Sequence, residues 1–468
     1  MLNFFRLNDP YRLVGVFLFL MICRIPFWLG EGDILLPELR WMLTGERMSD
    51  GFMMYYEIWD YISPLSAGTY WFLDWMFGRS QWAYLIPALF ISFFQAALFN
   101  TITLRSRIFN ENNYIPAIIY ALLSSAFFDF FTLSPMLMGL TFVLLALNNV
   151  ISQIEFRARK DEKLLSTGLY LGIAALFHFP LAAMGPFFVI VLLLFSSTVP
   201  RRYLLILYGW ILPFALTVIY YYFTDTLEFF IANHLVPWFN LARRNIVSYD
   251  FILVLAAPIT FYLLLSILRI VRRARLTSYQ SRVFQMMFIL LVLSSLVLLL
   301  EIDRYPFILL VFVPMLTYFV SFFFILGKKG LGAEIFFIIL LTAVIGINWK
   351  STLNRNPSSF FDFKSYYVIS HNSEGIVKDK KVAFLGDNIN IYRHAYPATP
   401  FINWRISQYA WENMNQYAYL NLIMKSVLHE KPAYVFDTNK YFNKWINKVP
   451  VIRQQYRKEG NIYIRINN

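Results

Sequence analysis

The sequence predicts an α-helical polytopic membrane protein with about eleven transmembrane helices and a small C-terminal α/β domain. The 468 residues are 58% hydrophobic and 19% aromatic, and the mean hydropathy is +0.53. Soluble globular domains are less apolar than this, whereas multi-span membrane proteins reach such values. In addition, the long apolar runs stop at residue 350, and clusters of basic residues recur in alternate loops between them.

The apolar runs define the predicted spans, although several runs are short. Residues 115–153 also fit a bent or re-entrant pair of helices, which a membrane protein tolerates where its backbone is buried in protein. The eleven predicted spans cover residues 12–29, 82–104, 115–128, 133–153, 164–178, 181–198, 203–223, 250–269, 283–300, 306–327 and 333–349.

Basic residues set the predicted orientation. Positively charged loops remain in the cytoplasm, and an odd number of spans then places the N-terminus inside and the C-terminal domain outside. The C-terminal domain is therefore expected on the outer side of the membrane. The basic loops contain Arg6 and Arg12, Arg105 and Arg107, Arg157 to Lys163, Arg201 and Arg202, Arg269 to Arg275, and Lys328 and Lys329.

Two domains are expected, a membrane core of residues 1–350 and a periplasmic α/β domain of residues 351–468. Lys381–Leu385 and Ala433–Asp437 have the pattern of short buried strands, and Asn461–Ile466 alternates like a strand with one wet face. Residues 410–429 have helical spacing, with Tyr417, Leu420, Ile423 and Val427 on one side.

The segment from Gly30 to Gly78 is the most polar part of the predicted membrane core. The polar and apolar residues at 33–44 predict an amphipathic helix at the membrane surface. This helix is expected to end near Gly45 and to have Pro37 in its first turn. Residues 65–77 are rich in Tyr, Trp and Phe, which settle at head-group depth. A loop that carries Glu31, Asp33 and Asp60 between two spans could hold a base in contact with lipid and water.

This loop resembles the first outer loop of the C-type (GT-C) membrane glycosyltransferases, which include the protein mannosyltransferases and aminoarabinose lipid A transferases. Glu31 lies fourteen residues before Gly45, about where the family has its leading acid. Asp60 precedes Ser63-Pro64, where the family usually has Pro-Pro, and Phe77-Gly78 closes the second helix. The MLNFFRLNDP start also resembles that of an uncharacterised family of Bacteroidota membrane proteins. This second resemblance implies no particular activity, and it implies the inner membrane of a bacterium as the location, with the C-terminal domain in the periplasm.

Weaker matches continue along the chain. GIAALFHFP resembles the family's Gly-rich span that ends in a basic residue, with His178 in the usual Lys position. DRYPFILLVFVP resembles the stretch where a basic and aromatic pair precedes a span ending in Pro, and it contains Arg304. Two departures stand against these matches. Tyr61-Ile62 replaces the Lys that the family often has before Pro-Pro. The second outer loop of the family often carries another Asp, but here Thr132 to Pro135 lie near that position and Asp129 comes a few residues earlier.

The resemblance implies transfer of a sugar from a polyprenyl phosphate to an acceptor glycan or protein. A carboxylate takes the proton of the acceptor hydroxyl, and the candidates are Asp33 and Glu31. Asp33 could equally be a helix N-cap, and Glu31 a solvated loop residue. Asp60 could orient the acceptor or bind a metal, with a turn role as the alternative.

Three basic residues are candidates for binding the donor phosphate or the acceptor. Arg304 suits phosphate because its guanidinium can form a bidentate fork, and its alternative is a surface pair with Glu301 or Asp303. His178 and His234 are polar residues at the ends of apolar segments, and a satisfied interhelical hydrogen bond would also explain them.

No nucleotide-binding motif and no recurrent metal-ligand spacing are present in the sequence. A divalent metal stays open as a cofactor, and nucleic acid is not expected as a partner. Two functions remain: an inverting, polyprenyl-phosphate-dependent glycosyltransferase, or an inactive GT-C-like scaffold that serves as an accessory subunit of an envelope complex for secretion, motility or export. The lost polar positions favour the scaffold, whereas the retained acids and Arg304 favour the enzyme.

Overall fold

The computed structural model describes residues 1–29, 34–156, 161–195, 201–273, 275–327, 330–353, 366–368, 377–387, 389–398 and 400–466. Two compact units account for the chain. The helical unit comprises Met1–Gly32, Gln81–Ile219 and Arg243–Lys364. The mixed unit comprises Asp33–Ser80, Tyr220–Ala242 and Ser365–Asn468. The predicted boundary between a core of residues 1–350 and a domain of residues 351–468 stays a prediction.

The described α-helices are numbered here in chain order. They are α1 (Leu2–Phe5), α2 (Arg12–Leu29), α3 (Leu36–Ser49), α4 (Pro64–Phe77), α5 (Trp82–Arg105), α6 (Ile115–Leu123), α7 (Pro135–Phe156), α8 (Asp161–Phe177), α9 (Met184–Phe195), α10 (Arg201–Phe223), α11 (Leu227–Phe230), α12 (Val236–Asn240), α13 (Tyr249–Arg273), α14 (Ser278–Leu300), α15 (Val313–Ile325), α16 (Leu331–Leu353), α17 (Trp404–Glu412), α18 (Tyr417–Glu430), α19 (Tyr441–Ile446) and α20 (Pro450–Arg453).

Seven short strands accompany these helices within the described ranges. They are β1 (Arg244–Asn245), β2 (Asp303–Arg304), β3 (Lys381–Leu385), β4 (Tyr396–Pro397), β5 (Tyr434–Asp437), β6 (Tyr456–Glu459) and β7 (Ile462–Arg465).

Helices that could cross a membrane dominate the helical unit. Eight described helical segments are long and apolar enough to do so, and they coincide with eight of the eleven predicted spans. The other three predicted spans coincide with shorter helices, namely α6, α8 and the 17-residue segment Phe179–Phe195. The nine residues of α6 rise only about 14 Å, less than half of a hydrocarbon core.

Burial separates central helices from peripheral ones. Within the span Pro306–Ile325, 83% of the residues are buried, against 17% in α10, although both are strongly apolar. Apolar side chains that face outward suit lipid rather than water. A multi-pass membrane protein, as the sequence predicts, is therefore confirmed.

Two glycines let α10 approach α8 closely. A Cβ at Gly168 would lie 2.1 Å from the carbonyl oxygen of Ile206, and a Cβ at Gly172 would lie 2.5 Å from that of Trp210. These glycines are four residues apart on one helix face, the small-residue spacing that brings membrane helices together. The Gly-rich character of this span therefore has a packing function.

The mixed unit contains a five-stranded sheet in the order β4-β3-β5-β7-β6. β3 pairs in parallel with β4 and β5, whereas β7 pairs antiparallel with β5 and β6. The three predicted strands are β3, β5 and β7, so the small α/β domain in the predicted fold class is confirmed. Trp404, Trp411 and Trp445 are buried in the core that α17 to α20 form with the sheet.

The helix predicted over residues 410–429 is wrong, because α17 and α18 are separate. The Asn413 side-chain amide donates to the Tyr409 carbonyl at 2.9 Å, and the Asn413 backbone N–H donates to the same oxygen. Asn competes with backbone hydrogen bonding in this way and ends helices. On the predicted apolar face Ile423 and Val427 are buried, but Tyr417 is 79% exposed.

The surface helix predicted over residues 33–44 starts later and runs further. α3 begins at Leu36, with Leu35 in the N-cap position and Pro37 in the first turn. Asp33 lies outside the described residues, so its alternative role as an N-cap stays a prediction. The helix continues through Gly45 to Ser49. Gly45 is needed for packing instead, because a Cβ there would lie 2.5 Å from the Tyr70 carbonyl oxygen of α4.

Candidate functional site

Glu31 and Asp33, the two candidates for the catalytic base, lie outside the described residues. Their role as the base stays a prediction. The other four predicted site residues are described, and they fall into two groups. His178 and Arg304 belong to the helical unit, whereas Asp60 and His234 belong to the mixed unit.

A cluster of charged residues lies at one end of the helical unit. His178 follows α8, Glu301 follows α14, and the two residues meet with His178 Nε2 2.9 Å from Glu301 Oε2. Both side chains are almost completely buried. The pair therefore forms an interhelical hydrogen bond, which was the structural alternative to a binding role for His178.

The same end of the helical unit carries the short parallel pair of β1 and β2, which aligns Arg244 with Asp303 and Asn245 with Arg304. Arg244 Nε lies 3.3 Å from the buried Asp303 carboxylate. Arg304 Nη1 donates to Asn245 Oδ1 at 3.3 Å. Asp303 therefore offsets the charge of Arg244, and Glu301 faces His178, so the predicted surface pair between Arg304 and either acid does not form.

The Arg304 side chain has spare hydrogen-bonding capacity. Its Nε is buried and has no hydrogen-bond partner among the residues that the structure describes. Its single hydrogen bond there, to Asn245, is long for an N–H···O contact. A half-buried guanidinium in this state can bind an oxyanion through two parallel N–H donors.

Asp129, at the predicted second outer loop, supports this end of the unit. Its Oδ2 accepts the Phe307 backbone N–H at 2.7 Å. Phe307 is the second residue of the 3-10 helix Pro306–Phe312, which follows β2 after Tyr305. The carboxylate therefore fixes the backbone that follows Arg304.

Asp60 is the centre of a hydrogen-bond network in the mixed unit. Its carboxylate is fully buried and accepts from Arg40 Nε at 2.7 Å, from Arg40 Nη2, from the Tyr61 N–H at 2.7 Å and from Asn403 Nδ2 at 3.0 Å. Four donors occupy both carboxylate oxygens. The network ties α3, the loop before α4 and the start of α17 together, and a binding role for Asp60 stays a prediction.

His234 lies in a π-helical turn, Ile231–Leu235, within the same unit. Its Nδ1 is 3.1 Å from the Tyr61 carbonyl oxygen, and its ring packs on Phe230 and Tyr55. Burial lowers the pKa of His234 to about 4, so the imidazole is neutral at pH 7 and Nδ1 donates to the carbonyl. His234 thus has a hydrogen-bond partner within the protein, which was the structural alternative to a binding role for this residue.

A metal site in a protein needs several His, Cys, Asp or Glu ligands close together. Across the described residues, no three His, Cys, Asp or Glu side chains converge on a common point.

Sequence reasoning missed the partners that define both groups. The sequence places Arg40 within the predicted amphipathic helix of residues 33–44 and gives it no partner, and Arg244 has no motif of its own. The one available signal is that Arg244 lies in a loop predicted to be outside, where the other basic clusters are absent.

No family model matches the chain, and no curated protein sequence matches it. Among solved structures, the apo oligosaccharyltransferase of Archaeoglobus fulgidus is similar over 98% of this chain and 75% of its own, with a TM-score of 0.51 and 9% identity. ArnT from Cupriavidus metallidurans bound to undecaprenyl phosphate matches 68% of this chain with a TM-score of 0.45 and 11% identity. The chain spans 60% of the ArnT chain. The protein has the GT-C fold, as the sequence predicted.

Proposed function

We propose that this protein is an inverting glycosyltransferase that moves a sugar from a polyprenyl-phosphate donor to an acceptor glycan or protein. The reaction would take place at the periplasmic face of the bacterial inner membrane. The GT-C fold makes this class of reaction the first candidate, although fold by itself does not decide activity. The proposal therefore depends on the chemistry of the charged end of the helical unit.

The observation that carries the proposal is the state of Arg304. Its neighbour Arg244 has a carboxylate partner in Asp303, whereas the one side-chain hydrogen bond of Arg304 to a described residue is the long one to Asn245. Its Nε lies buried without a partner within the described residues. The phosphate that leaves the sugar gains charge as the bond breaks, and a preorganised guanidinium stabilises that charge most where water is scarce.

The proton must go to a carboxylate near the acceptor hydroxyl. Glu31 and Asp33 are the candidates by resemblance to the GT-C loop, and we retain both. As the acceptor oxygen attacks the anomeric carbon, one of these carboxylates would take its proton, and the polyprenyl phosphate would leave with the bonding electron pair. A single displacement of this kind inverts the anomeric configuration.

The charge distribution supports a periplasmic location of this chemistry. Arg304 follows α14 and Arg244 precedes α13, so both lie at the ends of these helices that are remote from the loop joining them. That loop carries Arg275, and α13 itself ends in a run of arginines. Positively charged loops favour the cytoplasm, so the Arg304 end would face the periplasm.

The first experiment measures lipid binding. The full-length protein in nanodiscs is incubated with undecaprenyl phosphate and examined by native mass spectrometry. Arg304→Ala should weaken binding by about 10- to 100-fold, since charged hydrogen bonds contribute about 1.5–3 kcal/mol. Arg304→Lys should recover part of the loss, because it keeps the charge without the fork.

Arg275→Ala is the matched control, because it removes an exposed arginine at the opposite end of α13. It should bind undecaprenyl phosphate as the unsubstituted protein does. Equal affinity of Arg304→Ala and Arg275→Ala would overturn the assignment of the phosphate to Arg304.

One observation favours the alternative of an inactive GT-C-like scaffold within an envelope complex. Asp60, a polar residue of the loop that resembles the catalytic loop of the family, is used entirely by Arg40, Tyr61 and Asn403. The two functions can be distinguished by complementation of a strain that lacks this protein, because an enzyme needs its catalytic carboxylate and a scaffold does not. Complementation by the double variant Glu31→Gln, Asp33→Asn would establish the scaffold, and loss of a glycan product with normal protein levels would establish the enzyme.

A further inference from the structure

A cleft of about 680 Å³ opens entirely within the mixed unit. It falls in the range of roughly 300–1,000 Å³ that small-molecule sites occupy. One wall comes from residues 52–59 with Phe229, and the other comes from α18. The transfer reaction proposed above uses none of these side chains, so the cleft has no assigned role. We call it the aromatic cleft.

Aromatic rings form the first wall. The Tyr56 and Phe229 rings meet edge to face with centroids 4.8 Å apart, and Tyr56 remains 48% exposed. The Arg47 guanidinium lies 3.5 Å from the Phe52 ring centroid and holds that ring in place. Trp59 closes the wall and donates its Nε1 hydrogen to the Tyr56 carbonyl. The rings are therefore fixed before any ligand arrives.

Backbone strain beside this wall indicates that its conformation is enforced. Tyr55 has φ of 69°, a left-handed conformation that a bulky residue adopts rarely. Its hydroxyl donates to Ile62 at 2.6 Å, its N–H donates to Ile58 at 2.9 Å, and its carbonyl accepts from Asn233 at 2.8 Å. Such strain persists only where the surroundings hold it, and it concentrates at functional sites.

Polar and apolar side chains share the second wall, and Ala418, Leu422 and Leu428 are the apolar ones. Asn421, Lys425 and His429 line the cleft from α18 at spacings of four residues, so they share one helix face. Lys425 and His429 are exposed and Asn421 is half-buried. Within the described residues, the Lys425 ammonium has neither an ion pair nor a hydrogen bond. This face therefore presents free donors and acceptors to a ligand.

The two carboxylates of the cleft are already engaged. Glu430 is buried and paired with Arg47, which also donates to the Pro397 carbonyl. Glu57 Oε2 accepts the Met53 N–H at 2.8 Å. They stabilise the walls. The His429 imidazole packs edge to face on the Phe52 ring, with centroids 5.9 Å apart, so the ligand-facing polar groups are the Asn421 amide and the Lys425 ammonium.

We propose that the aromatic cleft binds an oligosaccharide. A sugar ring has an apolar C–H face, which packs on aromatic rings, and hydroxyl groups at its rim, which need donors and acceptors. The cleft offers these two chemistries on opposite walls. A lipid tail would pack on the rings but would leave the half-buried Asn421 amide desolvated and unpaired, which is costly. The site does not depend on transfer activity, since an inactive chain could keep it.

The test uses the full-length protein in detergent on an oligosaccharide array with neutral and uronic-acid members, beside a panel of unmodified peptides. The protein should bind saccharides and not peptides. Tyr56→Ala and Asn421→Ala should each weaken binding by about tenfold, the effect of one lost contact of about 1.4 kcal/mol. Lys425→Ala should reduce binding, with the larger loss for uronic-acid members.

Lys444→Ala is the matched control, because Lys444 is exposed and does not line the cleft. It should bind as the unsubstituted protein does. Absence of saccharide binding, preference for the peptides, or equal binding by Asn421→Ala and Lys444→Ala would each overturn the proposal. Undecaprenyl phosphate binding, measured on the same samples, should be unchanged in Tyr56→Ala, which separates this site from the Arg304 site.

Discussion

Substitution of Asp60 by Asn tests whether this acid holds the mixed unit together. The Asp60 carboxylate accepts three hydrogen bonds on Oδ1 and one on Oδ2. An Asn side chain keeps the most hydrogen bonds when its oxygen takes the Oδ1 position. Its NH₂ group then replaces Oδ2 and faces the Arg40 Nε donor, which lies 2.7 Å from Oδ2 in the unsubstituted protein. The variant thus loses one hydrogen bond and the whole charge while it keeps the side-chain volume.

The magnitude follows from burial. Removal of one partner from a buried ion pair costs about 3–5 kcal/mol. Asp60 is fully buried and Arg40 keeps 12% exposure, so the lower end, about 3 kcal/mol, applies. Local opening should then become about 100-fold more frequent, since each 1.4 kcal/mol is a factor of ten.

Hydrogen–deuterium exchange measures this opening directly. The Tyr61 N–H donates to the Asp60 carboxylate, so its exchange reports the network. In Asp60→Asn this amide and the peptide that contains Asn403 should exchange about 100-fold faster, whereas Asp50→Asn should change neither because Asp50 is exposed. Exchange within threefold of the unsubstituted protein would refute the reasoning and return Asp60 to a ligand-binding role.

Two further predictions concern packing and pH. Gly45→Ala should lower the thermal midpoint and cost about 1–3 kcal/mol, because its Cβ would lie 2.5 Å from the Tyr70 carbonyl. Gly68→Ala on α4 meets nothing within 4 Å and should be neutral or slightly stabilising, so equal midpoints would contradict the packing argument. Burial lowers the pKa of His234 from 6.5 to about 4, so the unfolded chain binds the proton first as pH falls. Stability from neutral His234 is therefore complete above pH 6.5 and declines by about 3 kcal/mol toward pH 4. His234→Gln should flatten the pH dependence of the unfolding midpoint, and an unchanged slope would be evidence against it.

Local patterns were enough for much of the fold. β3 coincides with its predicted range because Lys381 is followed by the continuous apolar run VAFL, whose short length and β-branched and aromatic residues are typical of a buried strand. The helix ends were less predictable. Glycine is common just after the end of a helix, so the sequence predicted a helix end near Gly45. In the structure Gly45 lies inside α3, where it packs against the Tyr70 carbonyl. Glycine signals a need for close approach as well as for a turn, and sequence alone does not separate the two.

The candidate residues were easier to propose than their partners. His178, Arg304, Asp60 and His234 attracted attention because polar groups beside apolar segments are costly unless they are used. Their environments, however, depend on residues far away in sequence. Asp60 meets Asn403 across 343 positions, and His178 meets Glu301 across 123.

Composition and periodicity by themselves determined that this chain is a many-span membrane protein with a small α/β part, because apolar length and alternation are properties of short segments. Only the tertiary structure decided which charges are neutralised and which stay available. Asp60 is used by Arg40 and Asn403, while Arg304 keeps an unpartnered Nε among the described residues. The physical reason is that hydrogen bonds act over about 3 Å. The chain path through both units sets distances on that scale, and no local pattern encodes them.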